Sequence, residues 1–372
     1  MRIGFDVAQT CGEKAGCSWY ADSLIGELAR LAPQHEFFLY HHFGGWINDS
    51  TLGGTTIEAQ NVSAPLVQVG RRRAARFWRE PERYWQELGA PEVVHANCFQ
   101  APKLRRAKLV YTVYDLSFWA VPEYTLESNR RVCQNGMLQA LENADGFVFI
   151  SKSARNEFER ILPGWLEAAD KPLVVTPLAS RRTLRETSPA GIPAHWLAVG
   201  SLEPRKNYGT LLDAIEQYWK QSTQRLPLWI VGGPGWKSDA LHAQIEAMSL
   251  RGMVKYLGYV TDSELQNLYA NAAALIFPSW YEGFGLPVLE AMSVGCPAIV
   301  SNRTSMPEVG GEAAMYMEPT DTGRLVELML RLEMDSVTRV NRVEAGRARA
   351  AQFSWKDTAE QTLEFYHRVK CG

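Results

Sequence analysis

Short apolar runs, several of them β-branched, recur along this chain and are mostly divided by segments with helical spacing. No other property of the sequence restricts its fold as much. RIGFDVA opens the chain, followed by the loop QTCGEKAGCS and by WYADSLIGELARLA, whose apolar residues recur at the helical period. HEFFLYHH, EVVHANC, KLVYTVYDL and DGFVFIS are further short runs, mostly separated by loops or helix-like segments. Such runs suit parallel strands buried on both faces by helices.

The rhythm restarts after ASRRTLRETSPAGIPA, residues 179–194, a Pro-, Ser- and Arg-containing stretch that reads as a linker. HWLAVGS, LPLWIVGG, VKYLGYV and AALIFPS read as strands; NYGTLLDAIEQYWKQS, SDALHAQIEAMSLRG and TDSELQNLYANA read as helices. Thr261 followed by Glu264 predicts a capping box on the last of these. The expected fold class is therefore α/β, with two Rossmann-like doubly wound domains facing a central cleft. The 372 residues suit two domains of about 150–200 residues each, here 1–185 and 186–354. FSWKDTAEQTLEFYHRV predicts a final helix over 355–372, which could pack back on the first domain. In such sheets ligands sit at the carboxyl ends of strands.

With 46% hydrophobic and 22% charged residues the chain reads as globular and soluble, and a net charge of −2 argues against nucleic acid as a partner. The six cysteines, Cys11, Cys17, Cys98, Cys133, Cys296 and Cys371, show no zinc spacing and read as free thiols in a reducing compartment. The start lacks the apolar core of a secretory signal, and no run of about 18 apolar residues exists. A cytoplasmic location is expected.

The densest chemistry lies in SWYEGFGLPVLEAMSVGCP, residues 279–297. Pro287 suits the first turn of a helix and Gly295 its end. The amides of Phe284, Gly285 and Leu286 then become spare donors at a helix N-terminus, where an anion is favoured by about 0.3–2 kcal/mol. Gly283 and Gly285 would let backbone approach a phosphate without a Cβ in the way. Glu290 could reach outward to paired ribose hydroxyls, while Glu282 should face sugar hydroxyls or a neighbouring cation. The spacing alone fits a plain strand-loop-helix turn equally well. A second loop, GSLEPRKN at 200–207, sets Arg205 and Lys206 side by side after a strand, suited to diphosphate oxygens. GGPGW at 232–236 is a third, glycine-rich loop in an equivalent place.

Taken together, VGSLEPRKN, VGGPG, LGYV, SWYEGFGLPVLEAMSVGCPAIVSN and SMPEVGGEAAMYMEP resemble the donor domain of retaining glycosyltransferases of the two-Rossmann (GT-B) type, family four, with its E-x(7)-E motif. YTVYDLSFWAVPEY, ISKSAR and FSWKDTAEQTLEFY are similar to a subgroup rich in bacterial mannosyl and rhamnosyl transferases. The resemblance implies transfer of a hexose, best mannose from GDP-mannose, to a hydroxyl of a glycan or polyprenyl-diphosphate-linked acceptor in surface polysaccharide synthesis. It implies catalytic roles for Arg205 and Lys206 on the diphosphate and for Glu282 at the donor sugar. Glu290 would hold the ribose, the amides of Phe284, Gly285 and Leu286 the phosphates and sugar, and Tyr259 and Val260 would border the base. Ser201 and Gly233 would sit beside the donor, and Gly16 would belong to a glycine loop closing over the phosphates.

Two departures stand out. Tyr114-Asp115 occupies the place of the family's common His-Asp, whose His touches the donor sugar, so the resemblance implies a donor-binding place for Tyr114; Ser201 stands where an Arg is frequent. A tyrosine keeps a hydrogen-bonding tip but carries no proton near neutral pH. Asp115 could act as a base or orient the acceptor, or it could cap a turn. His95, at another strand end, is the candidate acceptor-binding residue. No D-x-D occurs, so neither metal nor cofactor is expected; the nucleotide sugar is itself the donor substrate. Residues 70–85, GRRRAARFWREPERYW, interleave six arginines with Phe77, Trp78, Tyr84 and Trp85. That pairing suits peripheral contact with the anionic inner face of a membrane, or an ordinary amphipathic surface helix. A hydrolysing nucleotide-sugar epimerase of the same fold and a non-catalytic nucleotide-sugar-binding subunit remain as alternatives.

Overall fold

The computed structural model describes every residue except 13, 15, 50, 98 and 182–192. Most of the expected linker, the expected domain boundary at 185/186 and Cys98 therefore lie outside the described residues. The chain divides into one unit of Met1–Leu178 with Ser354–Gly372, and a second of Ala179–Phe353.

In the first unit the strands are β1 (Arg2–Asp6), β2 (Glu36–Tyr40), β3 (Val62–Ser63), β4 (Val93–Ala96), β5 (Lys108–Val113), β6 (Gly146–Phe149) and β7 (Leu173–Val175). They form one parallel sheet in the order β3-β2-β1-β4-β5-β6-β7. β3 and β7 escaped the sequence pattern because they span only two and three residues and are not fully buried. The final helix, Trp355–Cys371, belongs to this unit. Ser354 caps it by accepting from the amides of Lys356 and Asp357. Gly146 makes room for it on β6: a Cβ there would lie 2.8 Å from Phe365 and Val369.

The second unit holds β8 (His195–Val199), β9 (Leu228–Val231), β10 (Val254–Gly258), β11 (Ala272–Phe277), β12 (Ala298–Ser301) and β13 (Met315–Met317). They too form a parallel sheet, ordered β10-β9-β8-β11-β12-β13. β11, read from AALIFPS, is buried along its whole length, as a central strand covered on both faces must be. The capping box at Thr261 and Glu264 is present at the helix Asp262–Asn271. The order reverses between β8 and β11, so the loops leaving those two neighbours flank the switch point where a doubly wound sheet opens a crevice.

The segment 70–85 forms the surface helix Arg71–Arg79, but the membrane reading of its aromatics is corrected. Phe77, Trp78 and Trp85 are only 4%, 7% and 6% exposed, and Trp78 Nε1 donates to the His42 carbonyl at 2.7 Å. Those rings complete the core of the first unit, because an amphipathic face buries where the protein offers apolar neighbours. The six arginines remain exposed. Among the described residues no helix is long and apolar enough to cross a membrane. Cys11, Cys17, Cys133, Cys296 and Cys371 are free thiols.

Candidate active site

The loop leaving β8 carries Ser201, Glu203, Arg205 and Lys206, the last two in a short 3-10 turn, Pro204–Lys206. Asn207 ends that turn with φ +58 and donates its amide to the carbonyls of Pro278 and Pro319, tying the loop to the end of β11. Trp280 returns a backbone bond to the Arg205 carbonyl at 2.9 Å. The two sequence-predicted loops are thus laced together at the switch point.

Between them two buried carboxylates meet two partly buried cations. Glu282 Oε2 receives Arg205 at 2.8 Å and Oε1 receives Lys206 at 2.7 Å. Arg205 also donates to Glu203 at 2.8 Å and to the Tyr281 carbonyl at 2.7 Å. Burial pushes the Glu282 carboxyl upward, but Arg205 and Lys206 outweigh it and draw it down to about 2. Glu282 is therefore ionised, facing cations as the sequence suggests it should. Ser201 donates to Glu203 at 3.3 Å.

The helix Leu286–Ser293 begins just beyond, with Gly285 at its N-cap in a left-handed conformation and Pro287 in its first turn. Ser305 pins the approach by donating to the carbonyls of Glu282 and Phe284, and Thr304 accepts the Glu282 amide. Among the described residues no protein acceptor takes the amides of Phe284, Gly285 or Leu286. Three donors are left at the positive end of a helix dipole. The reason for Gly285 differs from the expected one: at φ +103, a Cβ would lie 2.3 Å from Met306 Cε, so it is a protein side chain that leaves no room for a Cβ there. The glycine-rich loop after β9 likewise packs on protein, since a Cβ on Gly232 would lie 2.2 Å from the Gly200 carbonyl oxygen. Gly233 lies beside Tyr259, whose hydroxyl a Cβ would approach to 2.6 Å, so these two predicted donor residues are neighbours. Tyr259 is 64% exposed, and Val260 is partly buried.

Glu290 does not reach outward. It is only 4% exposed, ion-paired with Arg181 at 3.0 Å, and accepts from the Tyr269 hydroxyl at 3.3 Å. Arg181 also meets Asp262 at 3.4 Å. An acidic residue on a helix face can as well turn inward when a buried cation waits there.

In the first unit, Gly16 opens the helix Gly16–Leu31, with nothing within 4 Å of a Cβ at that position. Asp115 accepts from the Ser117 amide at 2.9 Å, the turn-capping arrangement. It lines a hollow of about 130 Å³ together with Tyr114, Arg130 and Cys133. The Tyr114 ring meets Tyr20 edge to face at 5.3 Å. The acceptor-binding reading of His95 is corrected: it is 0% exposed, bonded at Nδ1 to the Tyr366 hydroxyl and at Nε2 to Thr112. Burial draws its pKa down to about 3, so it is a neutral core histidine that anchors the final helix. A wider hollow of about 670 Å³ along Trp229, His242 and Lys255 contains none of the predicted residues.

Sequence reasoning missed Glu203, Ser305 and Arg181. Glu203 had a signal, a carboxylate two positions before an Arg-Lys pair. Ser305 and Arg181 had none, since their partners are distant in the chain.

The family model described as Glycosyl transferases group 1 matches residues 183–349. The chain is 35% identical over 286 residues to O-antigen chain mannosyltransferase B of Escherichia coli, covering 74% of each. It is 30% identical over 258 residues to a serotype-specific mannosyltransferase WbdA of E. coli, covering 66% of this chain but 31% of that protein. Among solved structures, sucrose-phosphate synthase from Thermosynechococcus elongatus superposes with a TM-score of 0.74 at 20% identity, over 99% of this chain and 98% of that one. WaaG, a glycosyltransferase involved in lipopolysaccharide biosynthesis, gives 0.69 at 16% identity over 98% and 99%. These likenesses establish the fold as α/β of the GT-B type.

Proposed function

Because the chain belongs to the group 1 glycosyl transferases, we propose that this glycosyltransferase moves mannose from GDP-mannose, with retention, to a hydroxyl of a glycan or polyprenyl-diphosphate-linked acceptor in surface polysaccharide synthesis. The observation that carries the reading is the set of three spare amides at residues 284–286 beside Lys206 and Glu282. A departing nucleoside diphosphate gathers negative charge in the transition state. Amide dipoles held in place beforehand, joined by the Lys206 ammonium, stabilise that charge more than they stabilise the ground state. In the proposed reaction the bond from C1 to the diphosphate oxygen breaks while a bond from C1 to the acceptor oxygen forms on the same face. The acceptor's proton passes to the departing phosphate oxygen, so no protein base, metal or cofactor is required.

In this reading Glu282 accepts a hydroxyl of the donor sugar, Glu290 the ribose hydroxyls in competition with Arg181, and Tyr259, Val260 and Gly233 border the base. Ser201 stands near the diphosphate without charge. Tyr114 is read toward the donor sugar, Gly16 toward the phosphates and Asp115 toward the acceptor hydroxyl. The relatives named as mannosyltransferases support mannose as the sugar. The exposed arginines of residues 71–83 support contact with an anionic membrane, where a polyprenyl-linked acceptor resides.

The test is incubation with GDP-mannose, a chelator and a mannose-terminated polyprenyl-diphosphate oligosaccharide, with the product anomer read by NMR. An α-mannoside is expected. Release of an epimerised free sugar with GDP would support the epimerase, and binding without turnover the non-catalytic subunit.

A further inference from the structure

We propose that Glu203 and Arg205 act as a positioning clamp for Glu282, and that Lys206 is the one side chain of this cluster that turns to the diphosphate. The inference rests on the donor site proposed above and divides labour between two adjacent cations that the sequence leaves equivalent.

The division follows from how each cation is held. Arg205 is engaged on three acceptors, Glu203, Glu282 and the Tyr281 carbonyl, at 2.8, 2.8 and 2.7 Å. A planar guanidinium fork gains from such fixed, divergent bonds and loses all of them if it rotates away. Its backbone is fixed as well, by the Trp280 amide on its carbonyl. Lys206 has one carboxylate partner, Glu282, with its ammonium 4.7 Å from the centre of the Phe277 ring. A lysine head carries three rotatable donors, so it can take a new oxygen by a small turn.

Charge makes the same distinction. Two carboxylates and two cations cancel in the cluster, and an arriving diphosphate pulls on both cations. If Arg205 followed it, Glu203, only 4% exposed, would be left as a buried carboxylate without its cation, a heavily penalised state. Glu203 thus restrains Arg205. When Lys206 turns, the Oε1 atom of Glu282 is released to accept from a donor-sugar hydroxyl, while Oε2 stays pinned by Arg205. The same carboxylate is in this way positioned by one cation and uncovered by the other.

The experiment measures GDP affinity by calorimetry and steady-state kinetics with GDP-mannose for three full-length variants. Glu203→Gln keeps an acceptor oxygen but removes the restraining charge. It should lower kcat ten-fold or more, with GDP affinity unchanged or tighter. Arg205→Lys keeps charge but loses the fork, and should show the same split. Lys206→Ala should weaken GDP ten-fold or more. Ten-fold weaker GDP binding by Arg205→Lys, or wild-type kcat in Glu203→Gln, overturns the clamp alone. Should Glu203→Gln fail to fold by circular dichroism, Arg205→Lys decides. A wild-type protein that binds no nucleoside diphosphate overturns the donor site and the clamp with it.

Discussion

Two polar clusters at strand ends, one in each unit, are each built around a buried titratable side chain, His95 and Glu282, and differ in everything that decides function. Around His95 in the first unit, both ring nitrogens already have hydroxyl partners, Tyr366 and Thr112. Burial alone sets the ring's state, drawing it down to about 3 and leaving it neutral. Around Glu282 in the second unit the members are charged, and attraction to Arg205 and Lys206 overrides burial. Three amides stand unclaimed beside them. A closed neutral set can only hold the fold together, whereas a charged set beside spare donors can exchange one partner for a ligand.

The comparison breaks most visibly at Lys206. Lys206→Ala should lower kcat/KM for GDP-mannose by about 10³-fold, as loss of a cation at a leaving group does, while the folded fraction stays high. His95→Leu should do the reverse. It orphans the Tyr366 hydroxyl, leaves Thr112 with Asn97 alone, and costs about 1–3 kcal/mol in urea denaturation, with activity per folded molecule unchanged. A ten-fold rise in acceptor KM in that variant would erase the distinction between the clusters. Glu290→Ala lies between them in kind, since the residue is buried and paired yet assigned to ribose. Calorimetry should show GDP binding about ten-fold weaker, roughly 1.4 kcal/mol; unchanged affinity leaves Glu290 as Arg181's structural partner.

Acid separates the clusters by window. The folded His95 pKa, about 3, lies below its unfolded value, so its contribution is complete above about pH 6.5 and is lost as pH falls toward 3. Glu282, near 2 when folded, contributes fully above about pH 4.5 and loses that contribution as pH falls toward 2. Between about pH 6.5 and 4.5 the slope of stability therefore belongs to histidines. His195, drawn down by burial to about 4, adds to it. His95→Leu should reduce the slope there by up to about 1.4 kcal/mol per pH unit, and Glu282→Gln should leave it alone.

Much of this was legible in the sequence where one local rule decides. A fully apolar AAALIF can only be a covered strand, Thr261 and Glu264 close a box within one turn, and EGFGLP announces a helix start. The same rules were silent wherever a partner comes from far along the chain. His95 looked available because Tyr366 lies 271 positions away. The pattern of residues 70–85 is amphipathic either way, and only the surrounding core of Phe43, Leu66 and Leu88 decides that Phe77 and Trp78 turn inward rather than toward lipid. Arg205 and Lys206 read as a pair; their different commitments arise from Glu203 and Tyr281, which periodicity does not report.

Calorimetric titration of GDP into the wild-type protein and into Lys206→Ala, both in the presence of a chelator, tests the central claim most directly. Saturable binding by the wild type that weakens at least ten-fold in the variant is the result this account predicts. Binding of equal strength in both proteins, or none in either, would contradict it.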